Sequence, residues 1–491
     1  MALPAPNLDD RRFQDLVDEA KRLVQQRCPE WTDHNVSDPG VTLIETFASM
    51  VDQLLYRLNR VPDRLYIKFL DLIGVQLFPP TAARADVTFW LSASQPETVV
   101  VPKGTEVATM RTESEEAISF TVIDDLSVVA CSLAHLATGK EGTRLTDRSD
   151  TIRSGASFSC FSDSPEPDDA LLVGLSEAVP SCAVILRLDC QIEGVGVDPR
   201  NPPLVWEAWN GEGWVACELD HDETGGLNKA GAVVLLVPPT HAASTIGGQH
   251  AGWVRCRVVP VKRNQKPYNA SPRILSITAA TIGGTTATVN AEVLEEEILG
   301  TSEGMPGQRF PLQRRPVVPG EEPPVLEVSA GEGWEEWRVV ETFAGSGPGD
   351  RHFRLDEGIG EVVLGPALRE PDGSFRQCGA IPPPGALLRL RSYRTGGGRK
   401  GNVARGAIQV LKSSIPYVAR VENRQRAAGG VDGESLDEAK IRGPMLLRSR
   451  DRAVTSDDYE QLARRAAPEV ARVRCAPAGE GSDAGAVRVL V

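Results

Sequence analysis

Apolar side chains recur at helical spacing along the first eighty residues. Between residues 9 and 26 they fall every three or four positions, which predicts an amphipathic helix. Asp38 and Pro39 are suited to cap and begin a second helix, and a third is predicted over residues 62–73, ended by Gly74. Because three apolar faces can bury one another, residues 1–80 are predicted to form a helical N-terminal domain. The apolar stripe of the second helix consists of Leu43, Ile44, Phe47, Met50, Val51, Leu54, Leu55 and Leu58.

Beyond Pro79-Pro80 the apolar positions alternate with polar ones. This period of two, in segments rich in Val, Thr, Ile and aromatic residues, predicts β-strands. The strand candidates follow one another closely up to about residue 275, without helical patterns between them, so antiparallel sandwich or barrel modules are favoured over βαβ units. The candidates are residues 86–91, 97–101, 118–122, 171–173, 183–188, 204–209, 233–237 and 253–259.

A faint internal repeat runs through the β region. The segment Trp206-Glu-Ala-Trp-Asn-Gly-Glu-Gly-Trp214 is echoed by Ser329-Ala-Gly-Glu-Gly-Trp-Glu-Glu-Trp337. In each copy a strand, a Gly-Glu-Gly turn and a tryptophan-led return strand are followed by an aspartate, Asp222 or Asp356, and a further hairpin. The pattern predicts two related β units.

Charge separates the last part of the chain from the rest. Residues 389–475 hold 19 Lys and Arg against 10 Asp and Glu, whereas the whole chain holds 53 against 67, a net charge of −14. Ser435-x-x-Glu438 and Thr455-x-x-Asp458 are capping patterns that predict two helices in this basic stretch. Residues 486–491 have a strand pattern that stops in mid-course, so we expect the natural chain to continue.

The remaining composition narrows the class of protein. An acidic chain is a poor general binder of nucleic acid or anionic membranes. No apolar stretch approaches the ~20 residues of a membrane helix, and the first ten residues lack an export signal, so a cytoplasmic protein without membrane insertion is expected. Nine scattered cysteines without a C-x-x-C pattern predict reduced, mostly buried thiols and no metal site.

These patterns predict an α+β multidomain protein. It combines an N-terminal helical domain, antiparallel β-sandwich or barrel modules, and a C-terminal α+β domain. The predicted domains are residues 1–80 (helical), 81–130 with about 276–388 (β core), 131–275 (an inserted β-sandwich-like module) and 389–491 (basic, α+β, assembly).

Three motifs suggest chemistry, and each has a structural alternative that we favour. Gly300-Thr-Ser-Glu-Gly304 matches a nucleophile elbow, but Met305-Pro-Gly307 replaces the helix that should follow Ser302. Thr395-Gly-Gly-Gly-Arg-Lys-Gly401 resembles an anion cradle, although glycines that need positive φ explain it as well. The tryptophans at 206, 209, 214 and 253 suit either a sugar-binding platform or a β-sandwich core.

Several segments together resemble the J-like baseplate wedge proteins of contractile phage tails and phage-tail-like injection systems. They are Asp33-His-Asn-Val-Ser-Asp-Pro-Gly-Val-Thr-Leu-Ile-Glu45, Asn59-Arg-Val-Pro-Asp-Arg-Leu-Tyr-Ile-Lys-Phe-Leu-Asp-Leu-Ile-Gly74, Leu299-Gly-Thr-Ser-Glu-Gly-Met-Pro-Gly-Gln-Arg-Phe310, Pro382-Pro-Pro-Gly385, Tyr393-Arg-Thr-Gly-Gly-Gly-Arg-Lys-Gly-Asn-Val403, Ala428-Gly-Gly-Val-Asp-Gly-Glu-Ser-Leu436 and Leu447-Arg-Ser-Arg-Asp-Arg-Ala-Val-Thr-Ser-Asp-Asp-Tyr-Glu460. The family's usual Phe-Gly-Asp-Gly segment is altered here to the region around Gly373 and Gln377-Cys378-Gly379.

The resemblance implies a structural subunit without catalytic residues, metal or cofactor. Members assemble into a sixfold ring around the spike or hub, link it to the sheath and periphery, and rearrange on firing. The implied partners are other copies of the chain, a companion wedge subunit, and spike, hub and sheath-proximal proteins, assembled into a phage-tail-like particle. The alternative is a carbohydrate-binding or glycan-processing β-module protein that uses the tryptophans.

The basic stretch supplies the candidate assembly interface. Arg448, Arg450 and Arg452 alternate around Ser449 and Asp451, and a local positive excess on an acidic chain suits docking on an acidic protein surface. The candidate residues are Arg448, Arg450, Arg452, Tyr459, Arg399 and Lys400.

Overall fold

The computed structural model describes residues 8–491 with the exception of 33–34, 36, 60–62, 73–74, 76, 114–115, 141–143, 192–195, 264, 321–322, 332, 450–451, 468–469, 471, 478 and 480–485. Contacts between Cα atoms divide the chain into two compact units. The smaller unit joins residues up to Pro80 with Gly433–Val491, and the larger unit is Thr81–Asp432.

Six α-helices and one short 3₁₀ helix lie within the described ranges. The α-helices are α1 (Phe13–Arg27), α2 (Pro39–Asn59), α3 (Asp63–Leu72), α4 (Ser149–Arg153), α5 (Leu436–Ser449) and α6 (Ser456–Ala466), and the 3₁₀ helix is Arg399–Gly401. None of these helices is long and apolar enough to cross a membrane.

The strands are numbered in chain order. The first group is β1 (Arg84–Leu91), β2 (Val99–Val101), β3 (Glu106–Thr109), β4 (Ser119–Val122), β5 (Leu126–Val128), β6 (Leu133–Lys140), β7 (Thr146–Asp147), β8 (Phe158–Ser159), β9 (Asp169–Leu175) and β10 (Cys182–Gln191). The second is β11 (Leu204–Trp209), β12 (Trp214–Ala216), β13 (Glu218–Asp222), β14 (Gly231–Leu236), β15 (Ala243–Ile246), β16 (Gln249–Val258), β17 (Arg273–Val289), β18 (Ala291–Thr301), β19 (Arg309–Pro311) and β20 (Val317–Val318). The third is β21 (Val325–Ala330), β22 (Gly333–Val339), β23 (His352–Asp356), β24 (Glu361–Leu364), β25 (Ala367–Arg369), β26 (Phe375–Gln377), β27 (Leu387–Gly396), β28 (Ile408–Leu411), β29 (Val418–Asn423), β30 (Arg474–Pro477) and β31 (Val487–Leu490).

Strand β17 organises the larger unit. Its first part pairs antiparallel with β10, and its second part pairs with β1. The two pairings meet at Gly283 and Gly284, and a Cβ atom at Gly283 would overlap the carbonyl oxygen of Phe89. A side chain is therefore excluded at Gly283, where β17 pairs with both of its neighbours.

The predicted repeat is present and is larger than the sequence indicated. In each copy seven strands have the same chain order and the same antiparallel neighbours. In the first β-repeat the four-stranded order is β12-β11-β16-β9 and the three-stranded order is β13-β14-β10. In the second β-repeat the orders are β22-β21-β27-β18 and β23-β24-β19.

Each β-repeat encloses its own core. Leu171, Leu186 and Leu235 meet in the first, and Leu326, Phe353 and Leu390 meet in the second. The second copy has a link between its two sheets that the described residues of the first lack, because β22 and β23 pair in parallel.

The predicted fold class is confirmed: helices come first, antiparallel β modules follow, and an α+β segment ends the chain. The three N-terminal helices lie within a residue or a few of their predicted bounds, and the nine cysteines are free thiols. Residues 389–432 contribute β27, β28 and β29 to the larger unit. The finer domain boundaries stay predictions.

Candidate assembly interface

The predicted basic residues of the C-terminal stretch lie around the end of α5. The side chain of Arg448 and all of Arg450 fall outside the described residues, whereas Arg452 is exposed and Tyr459 is half-buried in α6. The capping pattern at the start of α6 is confirmed, because Thr455 N donates to Asp458 Oδ2 at 2.8 Å and Asp458 N donates to Thr455 Oγ1 at 3.3 Å. Their role as an interface stays a prediction.

Arg399 and Lys400 lie in the larger unit, on the 3₁₀ helix after three glycines, and both are exposed. The glycine residues 396–398 all have positive φ. Their amides are already used: Gly397 N donates to the carbonyl of Asn290, and Gly398 N to that of Thr81. The loop therefore needs glycine for its backbone conformation, and its amides bind protein acceptors.

Helix α2 exposes a continuous apolar stripe. Its members recur at i, i+4, i+7, i+11 and i+15, within one narrow arc of the helix surface. They are Leu43 (70% exposed), Phe47 (68%), Met50 (61%), Leu54 (61%) and Leu58 (53%).

The same helix uses another part of its surface for its own packing. Val41 and Ala48 are buried, and Ile44, Val51 and Leu55 are half-buried. The predicted burial of the whole stripe was therefore wrong: eight apolar positions span too wide an arc for the neighbouring helix to cover. The width of this apolar arc is the signal in the sequence that α2 has a second apolar face besides the one it buries.

Hydrogen bonds fix both ends of α2. At its start Asp38 Oδ1 accepts from Gly40 N at 2.7 Å and from Val41 N at 3.2 Å, which confirms the predicted cap. At its end Asn59 accepts from Asp9 N at 3.2 Å through Oδ1 and donates to the carbonyl of Asp9 at 2.7 Å through Nδ2. The exposed stripe is thus carried by an anchored helix that packs against α1.

Helix α3, like α2, has one side packed within the small unit and another side that exposes apolar residues. Leu70 is buried against Ala439 of α5, while Leu65 (58% exposed), Phe69 (46%) and Leu72 (84%) form an open apolar row. The contact with α5 is reinforced where the Lys440 ammonium lies 4.1 Å from the centre of the Tyr66 ring. We call the exposed row of α2, Leu43 to Leu58, the helical apolar face, and the row of α3 is a separate apolar surface.

Next to α5, a buried ion pair holds the segment that follows residue 432. Arg442 Nη2 lies 2.6 Å from Glu434 Oε2, with side chains 17% and 8% exposed, and the Arg442 guanidinium stacks on Phe78 at 4.0 Å. Glu434 also accepts a hydrogen bond from Phe78 N at 3.2 Å. The C-terminal part of the small unit is therefore fastened to residues 66–78 through both charge and packing.

Each β-repeat contains a matching cluster of one glutamate, two arginines and one tryptophan. In the first, Glu207 accepts from Arg255 Nε at 2.6 Å and from Arg257 Nη2 at 2.8 Å, and Arg255 stacks over Trp214 at 4.3 Å. Burial disfavours the charged form of Glu207, but the hydrogen bonds from Arg257 and Arg255 outweigh it, so the pKa of this carboxyl is lowered.

The second β-repeat builds the same cluster from equivalent positions. Glu327 accepts from Arg389 Nε at 2.6 Å and from Arg391 Nε at 2.9 Å, and Arg389 stacks over Trp334 at 4.2 Å. Burial again opposes the charge on Glu327, and the arginines again lower its pKa. In the sequence, the alternating Arg-Cys-Arg and Arg-Leu-Arg triplets indicate two arginines on one face of a strand but not the glutamate that they bind.

Ser302 of the elbow-like motif is buried in a network of structural hydrogen bonds. Its hydroxyl donates to the carbonyl of Pro382 at 2.9 Å and accepts from Gly304 N at 3.0 Å and Gln308 Nε2 at 3.1 Å. These bonds tie the Gly300–Gly304 turn to the triple-proline segment.

The four tryptophans of the first β-repeat do not share one open surface. Trp206 (5% exposed) lies in the core between the sheets, whereas Trp253 (1%) is buried on the outer side with Trp209 and Trp214 packed against it. Their interpretation as core residues is confirmed for Trp206 and Trp253.

Comparisons with solved structures return baseplate chains at low identity and low TM-score. Neither a known family profile nor a curated protein sequence matches the chain. Among solved structures, the chain is similar to one in the cryo-EM structure of the type VI secretion system TssK-TssF-TssG baseplate subcomplex, with 10% identity over 86% of this chain and 80% of that one and a TM-score of 0.34. It is also similar to a chain of the sixfold-symmetrised anti-feeding prophage baseplate, with 11% identity over 93% of this chain and 58% of that one and a TM-score of 0.30.

Proposed function

We propose that the chain is a structural baseplate subunit of a contractile injection system or phage tail, acting as a wedge that joins other baseplate proteins and performs no catalysis. The observation that carries the proposal is the helical apolar face. Soluble monomers rarely expose contiguous apolar patches of this kind, and such patches mark contacts with other proteins or membranes.

The geometry of this face favours a helical protein partner. Apolar residues at i, i+4, i+7 and i+11 on one helix are the pattern by which helices pack along their length. Exposed side chains of this size contribute roughly 1–2 kcal/mol each when a partner covers them. The resemblance of the sequence to wedge proteins supports a partner within the baseplate: another copy, a companion wedge subunit, or spike, hub and sheath-proximal proteins.

A charge placed in the centre of the face tests the proposal. We would introduce Phe47→Glu with Leu54→Glu in the source cells and isolate tail-like particles for negative-stain microscopy. Ser49→Glu with Gln53→Glu is the matched control, because it adds the same charge at exposed positions of the same helix outside the apolar stripe. The Phe47 and Leu54 variant should keep its helical circular dichroism and be missing from particles, whereas the control should be incorporated. Incorporation of both variants at the wild-type level would refute the proposal.

The basic segment is a second proposed contact within the same assembly. Charge reversal at Arg448, Arg450 and Arg452 together should block ring formation, because a positive segment then becomes a negative one beside an acidic neighbour. Rings that form normally from this variant would contradict the assignment while leaving the helical apolar face untouched.

A further inference from the structure

The two β-repeats present equivalent outer faces on their four-stranded sheets. In the first, Arg255 lies opposite Glu207 on one side and Leu172 on the other. In the second, Arg389 lies opposite Glu327 and Ile298. The register therefore makes Ile298 the counterpart of Leu172.

Two further positions correspond in the same way. Trp253 stands two residues before Arg255, and Leu387 stands two residues before Arg389, so Leu387 is the counterpart of Trp253. Trp334 follows its Gly-Glu-Gly turn as Trp214 follows the turn of the first copy, so these two tryptophans also correspond.

The outer faces differ in whether they are covered. Leu172 and Trp253 are 4% and 1% exposed, but their counterparts Ile298 and Leu387 are 60% and 41% exposed. Trp334 is 40% exposed. The second β-repeat thus leaves open the face that the first one buries, and we call Ile298, Trp334 and Leu387 the open face.

The first β-repeat shows what kind of segment covers such a face. Strand β15, which pairs with the start of β16, supplies Ile246, and the segment before β7 supplies Leu145. Strand β15 is fixed by a hydrogen bond of 3.0 Å from Trp253 Nε1 to the carbonyl of Ser244. Residues 240–252 carry no Asp, Glu, Lys or Arg. On the β16 side the cover is therefore β15 and its turn, an uncharged segment that contributes the aliphatic side chain of Ile246.

The charges at the open face are already paired within the chain. Arg389 binds Glu327 and also Glu296 at 3.0 Å. Arg391 binds Glu327 at 2.5 Å and also Glu336. A partner is not needed to neutralise any of them, and a charged group arriving there would lose hydration without gaining a free counter-ion.

We propose that the open face binds an uncharged β-hairpin of another protein subunit, whose aliphatic side chains lie where β15 and its turn to β16 lie on the first β-repeat. This surface belongs to the larger unit and is distinct from the helical apolar face. The proposed binding of a hairpin does not depend on whether the assembly that contains the chain is a baseplate.

Photo-crosslinking of the native assembly tests the proposal. The crosslinking amino acid p-benzoylphenylalanine replaces Leu387 in the full chain, and the assembly is isolated from the source cells and irradiated. Phe375, 71% exposed on β26, is the control position. We expect position 387 to crosslink to an uncharged hairpin of another subunit. A crosslink to a charged or helical segment would overturn the proposal, as would the absence of an intermolecular crosslink.

Oxidative footprinting supplies a second measurement without substitution. In the assembly the labelling of Ile298, Leu387 and Trp334 should fall toward that of buried Leu172 and Trp253, relative to the isolated chain. Equal labelling of the three residues in both states would refute the proposal. If the open face is protected in an assembly that is not tail-like, the proposed function fails and this inference survives. If the open face stays unprotected in a genuine baseplate, this inference fails and the proposed function survives.

Discussion

Replacing Glu207 by Gln removes one charge from a largely buried cluster of one glutamate and two arginines. The side chains of Glu207, Arg255 and Arg257 are 11%, 6% and 20% exposed. The matched substitution, Glu327→Gln, removes the equivalent charge from the second β-repeat. There Glu327 is 7% exposed, but Arg389 and Arg391 are 21% and 47% exposed.

The surroundings of the arginines set the expected loss of stability. Removing one partner of a buried ion pair costs roughly 3–5 kcal/mol, because the remaining charge stays buried. Arg257 keeps Asp168 at 3.0 Å, so we expect the lower end, about 3 kcal/mol, for Glu207→Gln. In the second cluster Arg391 can turn to water and Arg389 keeps Glu296, so Glu327→Gln should cost only about 1 kcal/mol.

Urea unfolding of the full chain, followed by circular dichroism, measures the difference. With an m-value of about 3 kcal/mol/M, the midpoint of the β transition should fall by about 1 M for Glu207→Gln and about 0.3 M for Glu327→Gln. Glu335→Gln is the control, since its side chain is 39% exposed, and its effect should stay within about 0.5 kcal/mol. Equal losses for the two clusters would refute the reasoning that solvent access decides their contribution.

Three further outcomes are expected. Because the folded-state pKa of Glu207 is lowered, its stabilisation is complete above the unfolded pKa and declines as pH falls through the folded value; urea midpoints between pH 6 and 3 should therefore fall less steeply in Glu207→Gln. Gly252→Ala should lower the unfolding temperature of the first β-repeat in a thermal scan, because the new Cβ would overlap the carbonyl of Glu177. Gly213→Ala should leave the unfolding temperature unchanged, because a Cβ at Gly213 would lie in open space. Thr455→Ala should destabilise α6 by about 1 kcal/mol, seen as faster amide exchange, and unchanged exchange would contradict its capping role.

The helical and strand patterns of the sequence predicted the elements well because they depend on local spacing. Asp38 could be recognised as a cap from its position before Pro39, and the structure shows both hydrogen bonds. The strand over Leu204–Trp209 has its predicted bounds. Periodicity reports which side of an element is apolar, and burial of a single face is enough to fix the element.

The sites were harder to predict because they depend on pairing between distant strands. Nothing near Glu207 in the sequence identifies Arg255, 48 residues away, as its partner, and Glu327 is 62 residues from Arg389. Likewise the stripe on α2 indicates an apolar surface but not whether this chain or another covers it. The repeat was visible in the sequence at the Gly-Glu-Gly turns and at the aspartate and hairpin that follow each of them. The rest of the duplication rests on strand order, which the sequence does not display.

Strand β17 has a mechanical consequence for the larger unit. It is 17 residues long, about 55 Å when extended, and its hydrogen bonds join the β10 side to the β1 side without a loop between them. A tensile load along this strand would act as shear on both ladders, so many hydrogen bonds would have to break together rather than one after another. Both ladders would therefore resist such a load together.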